Sequence, residues 1–314
     1  MNDPFVSILI PCHNAAPWLA AAVESALAQT HPRCEIIIVD DGSTDASPAI
    51  AGGFADRGVR LVRQPRRGAA AARNTAWREA HGEFLQFLDA DDLLDREKVA
   101  RQLARLGAEP PEHVASGAWG SFTDNPARAE FKPDPVWTDA APLDWLVRSW
   151  SGGGMMHPAA WLTPRAIAER AGPWNEALSL DDDGEFFCRV LLAAQAVCFC
   201  GDARSYYRRH PGGSLSHVKT PDAWRSSHEV CRLVQEAALA REDSPRVRRA
   251  CALNHWRFAF HAWPYARPLA QASVTAARCL DPGARRPPAG PRFELLARLV
   301  GWRLARRLQA AFLP

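Results

Sequence analysis

The run EIIIVDD, residues 35–41, constrains the fold more than any other stretch of the chain. Ile36, Ile37, Ile38 and Val39 are all β-branched and apolar. A strand made of them is buried on both faces, as in a parallel sheet covered by helices above and below. The neighbouring sequence repeats the theme. FVSILI (5–10), VRLVR (59–63) and EFLQFLD (83–89) predict strands, separated by helical patterns from Pro17 to Gln29 and over 69–80. A further helix is expected over 95–106, with Asp95 as its cap. Strand and helix in this alternation imply right-handed β-α-β units and an α/β fold.

Past residue 107 the pattern loosens. Residues 107–165 are rich in Pro, Gly and Trp, with a loop expected at SGGG (151–154). A helix is predicted over 183–194, with Phe186, Phe187, Val190 and Leu191 on one face, then a strand over 197–209 and only helices beyond about 218.

In an open parallel sheet the ligand site lies outside the carboxyl ends of the strands. That rule gathers two acidic groups, Asp40 with Asp41 and Asp89 with Asp91 and Asp92. Like charges held close resist joint ionisation unless something positive sits between them. A hard divalent cation, Mg²⁺ or Mn²⁺, would meet that need and would bring phosphate oxygens with it. Arg66, Arg67 and Arg73 stand ready for phosphate. The plainer alternatives stay open: Asp40, Asp41, Gly42, Ser43 and Asp45 suit a turn and helix cap, and Arg66 and Arg67 suit a solvated surface.

Composition narrows the classes further. Lys and Arg number 38 against 35 Asp and Glu, so the net charge of +3 offers no global case for a nucleic-acid partner. Eight scattered cysteines without a C-x-x-C pair argue against a zinc or dithiol site. The dinucleotide fingerprint G-x-G-x-x-G and the P-loop are both missing. With no basic leader and no apolar run of spanning length, the expected setting is cytoplasmic.

The segments VSILIPCHNAAPWLAAAVESALAQT, EIIIVDDGSTD and RRGAAAARNTAWREAHGEFLQFLDADD, in that order, closely resemble family 2 of the glycosyltransferases. The resemblance covers about the first hundred residues. It implies a GT-A fold, with a mostly parallel sheet flanked by helices, and an inverting transfer from a nucleotide sugar. It also implies roles. Pro11, Asp40 and Asp41 would bracket the nucleotide, Arg73 would lie beside it, and Asp89 and Asp91 would form the D-x-D pair, Asp91 on the metal and Asp89 on ribose or metal. His13 departs from the family, which often has an aromatic residue there.

Attack by an acceptor hydroxyl needs a base on the side opposite the leaving group. LSLDDDGEFFCRV, residues 178–190, resembles the family's Glu-Asp motif ahead of a helical arginine. Counting back from Arg189 gives Asp183 as the base and Asp182 as its support, with Asp181 or Asp182 taking over if the alignment slips. The alternative is an acidic helix N-terminus favoured by the dipole. Arg208, Arg209 and His210 resemble the family's basic loop near the donor phosphates, and Trp119, Trp150 and Trp174 are candidates to stack on an acceptor sugar.

The expected organisation is a catalytic unit over 1–218, split into a nucleotide-sugar half (1–106) and an acceptor half (107–218), followed by a helical extension over 219–314. The expected function is transfer from a UDP-sugar to a sugar or lipid-linked acceptor in cell-surface polysaccharide or glycolipid synthesis. A sugar-1-phosphate nucleotidyltransferase and a non-catalytic sugar-nucleotide-binding module are the rivals. The last segment, with Val300, Leu304, Leu308 and Phe312 on one helical stripe among Arg298, Arg303, Arg306 and Arg307, could lie on the inner face of an anionic membrane or dock on the protein body.

Overall fold

The computed structural model describes residues 3–107, 112–152, 154, 156–210 and 220–312. The chain opens with β1 (Val6–Cys12), α1 (Leu19–Leu27), β2 (Cys34–Asp41), α2 (Ser47–Gly52), β3 (Val59–Gln64), α3 (Ala69–Glu79) and β4 (Phe84–Phe87). There follow β5 (Leu93–Leu94), α4 (Lys98–Gly107), β6 (His113–Phe122), α5 (Pro142–Trp150), β7 (Trp161–Pro164), α6 (Arg165–Ala171), α7 (Asp182–Ala193) and β8 (Ala196–Arg208). Five helices end it: α8 (Pro221–Arg241), α9 (Pro245–Ala262), α10 (Arg267–Leu280), α11 (Pro291–Val300) and α12 (Trp302–Phe312).

The strands form one mixed sheet in the order β3-β2-β1-β4-β7-β6-β8-β5. The half built from β3, β2, β1 and β4 is parallel throughout. Beyond β4 the sheet turns mixed, with β7 antiparallel to both β4 and β6 and β8 parallel to β6. The opening run behaves as its composition demands. Ile36 and Ile38 pack with Ile8 and Ile10 beneath Leu19, Val23 and Ala26 of α1, while Ile37 and Val39 pack with Leu9 and Phe87 beneath the alanines of α3. Burial of each such side chain contributes roughly 1.5–3 kcal/mol, so the strand is held from both sides.

Three local expectations shift. Helix α1 begins at Leu19, leaving Pro17 in the preceding turn. Helix α4 begins at Lys98; Asp95 instead closes the turn ahead of it, its Oδ1 accepting from the Glu97 N–H at 3.1 Å and its carbonyl from the Lys98 N–H at 3.0 Å. The loosely patterned region holds a ten-residue strand, β6. Its sequence HVASGAWGSF hides the strand because small residues are required there. A Cβ at Gly117 would sit 2.1 Å from the Ala203 carbonyl oxygen, and one at Gly120 would meet the Phe131 ring at 2.7 Å.

Helices α8 and α9 share the sheet's core. Val230 and Val234 of α8 and Val247 and Cys251 of α9 lie in the same apolar cluster as Phe186, Phe187 and Leu191 of α7. The 218/219 boundary falls among residues outside the described ones, and no break in packing separates α8 from α7. The single C-terminal stripe is also revised. Gly301, at φ +79°, divides it into α11 and α12. No helix among the described residues is long and apolar enough to cross a membrane.

One buried charge gives a prediction about stability. Lys98 is fully buried, donating from Nζ to the Trp161 carbonyl at 3.0 Å and to Gln86. Burial pushes its pKa well below the usual lysine range. Between that lowered value and the unfolded value of about 10.4, the unfolded chain binds the extra proton, so stability rises with pH across this window. Urea denaturation should therefore show the wild type gaining on Lys98→Met as pH climbs from neutral to mildly alkaline. Parallel profiles for the two proteins would show that Lys98 holds its proton in the fold.

Candidate active site

The positive charge that the aspartates require is Arg73. Small residues at 69–72 let α3 lie close on the sheet, and the helix turns Arg73 inward to 5% exposure. Its Nη2 donates to Asp89 Oδ1 at 2.8 Å and its Nη1 to Asp182 Oδ2 at 2.7 Å. Beneath it lies Trp174, 4.5 Å from the guanidinium carbon, stacked in turn on Phe186 at 4.1 Å. Burial works against the charge, but Asp89 and Asp182 outweigh it and keep the guanidinium more firmly protonated than usual. One side chain thus ties together two acidic segments about ninety residues apart.

The loop after β4 delivers the D-x-D pair. Asp89 accepts from Arg73 at Oδ1, and its Oδ2 has no hydrogen-bond partner among the described residues. Asp91 Oδ2 lies 2.6 Å from His210 Nε2, and the His210 ring rests 4.4 Å from that of Trp18 at the head of α1. Burial, then the charge of Asp89, raises the Asp91 pKa. Asp92 faces the other way. It is fully buried, with Oδ2 2.9 Å from His157 Nδ1 and Oδ1 accepting from the Arg208 N–H at 2.8 Å. Burial pushes its pKa up to about 6 against the opposing pull of His157. His157 Nε2 in turn meets Ser205 Oγ at 2.8 Å. With Asp92, His157 and Ser205 all sealed from solvent, this acid-imidazole-hydroxyl chain fastens the loop to β8 and cannot serve as a hydrolytic triad.

Can these residues hold a divalent cation? Asp91 Oδ2 meets His210 Nε2, and the second oxygen of Asp89 is without a hydrogen-bond partner among the described residues. Among the described residues there is no complete three-ligand cluster. That agrees with Mg²⁺ or Mn²⁺, which use one or two carboxylates and complete their shell from water and substrate phosphate.

The expected nucleotide side is built from three loops locked together. Pro11 is the last residue but one of β1, and is buried. Asp41 Oδ1 accepts from the Arg67 N–H at 2.8 Å and Gln64 Nε2 at 2.7 Å, and its Oδ2 accepts from the Gly68 N–H at 2.8 Å. Asp40 closes the turn through the Ser43 N–H at 3.2 Å and lies 3.5 Å from Arg63 Nε. Gly42, at φ +65°, is needed here because a Cβ would meet the Arg66 backbone nitrogen at 2.8 Å. The turn role that the sequence allowed for Asp40 and Asp41 is therefore present, and it shapes the loop at the strand ends. Arg66 and Arg67 are exposed, Arg67 pairing with Glu176 at 2.6 Å.

The candidate base lies at the start of α7. Asp183 is half-buried, and its only hydrogen bond among the described residues comes from the Gly184 N–H at 2.8 Å. Burial, then the charges of Asp182 and Asp181, pushes its pKa up to about 7, with Arg73 opposing. Asp182 is likewise raised by burial, against Arg73. Asp181 adopts the left-handed backbone at φ +59°, and its Oδ2 accepts from Ser227 Oγ at 2.5 Å. Ser226 Oγ accepts from the Ser179 and Leu180 N–H groups, both at 3.0 Å, and donates to the Leu180 carbonyl at 2.7 Å. Two serines of α8 thus hold the acidic loop.

Several expected residues do other work. Trp174 and Trp150 are buried, so neither offers a face to an acceptor; Trp174 is the floor under Arg73. Trp119 is partly covered against His157 and Tyr207. Arg208 gives Nε to the Asp91 carbonyl at 2.9 Å and Nη1 to that of Thr123 at 3.1 Å, bracing the loop that carries Asp91. Arg209 is exposed, and the loop expected beyond His210, at 211–216, lies outside the described residues. Sequence reasoning missed His157, Ser226 and Ser227. The adjacent serines on the inner side of α8 were the one available signal.

The fold is of the GT-A class. Residues 7–165 match the profile of Glycosyl transferase family 2, and the chain belongs to that family. An uncharacterized glycosyltransferase of Rickettsia felis is 41% identical over 33% of this chain and 17% of its own length. The UDP-Glc:alpha-D-GlcNAc-diphosphoundecaprenol beta-1,3-glucosyltransferase WfgD of Escherichia coli is 36% identical over 34% of this chain and 42% of its own. The chain therefore covers well under two thirds of either relative. Among solved structures, S. aureus TarS 1-349 in complex with UDP-GlcNAc aligns with a TM-score of 0.72 at 18% identity, over 97% of this chain and 88% of that one. The mannosyltransferase PcManGT of Pyrobaculum calidifontis, in complex with GDP-Man and Mn2+, gives 0.55 at 21% identity, over 99% and 88%. At these identities the likeness speaks for the fold alone.

Proposed function

We propose that the chain transfers a sugar, with inversion, from a nucleotide-diphosphate sugar to a hydroxyl of a sugar or lipid-linked acceptor in cell-surface polysaccharide or glycolipid synthesis. The setting is the cytoplasm, near the inner face of the membrane. The observation that carries this reading is Arg73, which joins the leaving-group aspartate Asp89 to the base-bearing loop through Asp182. UDP is the favoured nucleotide because TarS holds UDP-GlcNAc and WfgD takes UDP-Glc.

Asp183 takes the acceptor proton as the hydroxyl oxygen forms its bond to the anomeric carbon. The bond from that carbon to the diphosphate breaks, and the leaving group departs with the electron pair. A base with a pKa of about 7 is well matched to this work at neutral pH. Asp91, Asp89 and His210 would hold Mg²⁺ or Mn²⁺, which supplies charge neutralisation to the departing diphosphate. Asp182 keeps Arg73 aimed between the two halves, and the Asp41 loop shapes the nucleotide side.

A thermal-shift screen tests the reading directly. One nucleotide-diphosphate sugar with Mn²⁺ should raise the melting temperature by several degrees, as expected when ligand stands far above its Kd. A set of UDP-, GDP- and dTDP-sugars that all leave it unmoved would refute the proposal.

A further inference from the structure

The large apolar side chains that the protein leaves in water are concentrated in one place. Leu295 is 63% exposed, Leu299 76%, Val300 41% and Leu304 44%, all on α11 and α12; the only other exposed large apolar residue among those described is Tyr265. The opposite side of the same pair of helices is well anchored. Phe293 and Ala305 are buried against Phe260 of α9, with Leu296, Ala297 and Trp302 packed around them. The Arg286–Glu294 ion pair at 2.7 Å, and Arg306 Nε donating to the Phe260 carbonyl at 3.2 Å, fix the pair to the body. The exposed leucines are thus the outward face of a docked element.

Charge accompanies them. Residues 282–312 carry seven arginines against one acid, Glu294, although the whole chain nets only +3. The rest of the chain is therefore net negative. Arg292, Arg298 and Arg307 are exposed and make no hydrogen bond or ion pair to the described residues. Beside the element, a cleft of about 790 Å³ is lined by Arg278, Arg285 and Arg286 with Trp256 and Trp302. Solvated aliphatics flanked by unpaired arginines are what an anionic lipid surface accepts, the leucines entering the acyl boundary and the guanidinium groups meeting phosphate.

We infer that α11 and α12 form a docking element for a bilayer bearing anionic lipid, seated through Leu295, Leu299, Val300 and Leu304 with Arg292, Arg298 and Arg307 around them. This deepens the membrane-proximal part of the proposed function. It places a soluble-looking catalytic chain where a lipid-linked acceptor is presented.

Flotation of the purified chain tests it, with vesicles of phosphatidylcholine alone and of phosphatidylcholine mixed with phosphatidylglycerol, at low and high salt. The wild type should float with the anionic vesicles at least about tenfold more than with the neutral ones, and less at high salt. The double variant Leu295→Asp, Leu299→Asp should lose flotation on both. Arg298→Glu with Arg307→Glu should lose the anionic preference, and unchanged melting of each variant confirms its fold. Wild type that stays at the bottom of the gradient, or a leucine variant that floats as well as wild type, overturns the inference. So does a concentration-dependent dimer that the leucine variant abolishes, since a second copy would then cover this face. Flotation needs no donor, so a negative nucleotide-sugar screen would sink the proposed reaction and leave this result standing.

Discussion

Asp183→Asn lowers the rate of sugar transfer by about 10²–10⁴-fold, the usual contribution of a positioned general base, and leaves donor binding unchanged. Asn cannot take the acceptor proton, while Arg73, Asp89 and Asp91 keep their contacts. Two further readings separate lost chemistry from lost fold. In the wild type, turnover should fall on the acid side of about pH 7, where Asp183 becomes protonated, and that limb should vanish in the variant. Stability should move the other way. The folded pKa of Asp183 lies above the unfolded value of about 3.9, so between roughly pH 4 and 7 the folded state binds more protons and the wild type loses stability as pH rises. Asp183→Asn should accordingly melt higher than wild type at pH 8, with the gap closing toward pH 4. A variant that still transfers at the wild-type rate moves the base to Asp182 or Asp181.

Asp91→Ala should raise the Kd for UDP in the presence of Mn²⁺ by more than about 100-fold, since loss even of a ligand's supporting partner typically costs 10–100-fold in metal affinity. Asp89 makes up only part of the loss, because one of its two oxygens is held by Arg73. The melting temperature without ligand should change little. The lost contact to His210 is offset by relief of the repulsion between Asp91 and Asp89. Isothermal titration with and without Mn²⁺ reads the effect, and undiminished metal-dependent affinity would remove Asp91 from the metal site.

What the sequence disclosed follows from how locally each feature is encoded. The buried run at 35–41 and the alternation around it specified the parallel half of the sheet, because β-branched apolar residues leave a strand few alternatives. The partners of the aspartates were half legible. Arg73 was named beside the nucleotide, but its grip on Asp182 depends on α3 and the start of α7 meeting across the sheet, which no local pattern announces. β6 went unseen because close approach of β8 demands glycine at 117 and the Phe131 ring demands it at 120, erasing the alternation that marks a strand. His157 lay in the loosely patterned stretch 107–165, and only the fold brings it to Asp92. Trp174 shows the opposite error: its residue type suggested sugar, and burial made it a platform.

The grip of Ser226 and Ser227 on residues 179–181 bears on how such enzymes can change. The hydroxyls that seat the acidic loop belong to α8, so this last third of the chain cannot be traded like a detachable accessory. A graft of foreign helices would have to reproduce two serines at the right height on α8, or the candidate base would be handed over in the wrong place. Diversification of the C-terminal region is thereby channelled toward its outer surfaces, where α11 and α12 stand away from that loop, while the inner face of α8 is bound to the same inheritance as the sheet.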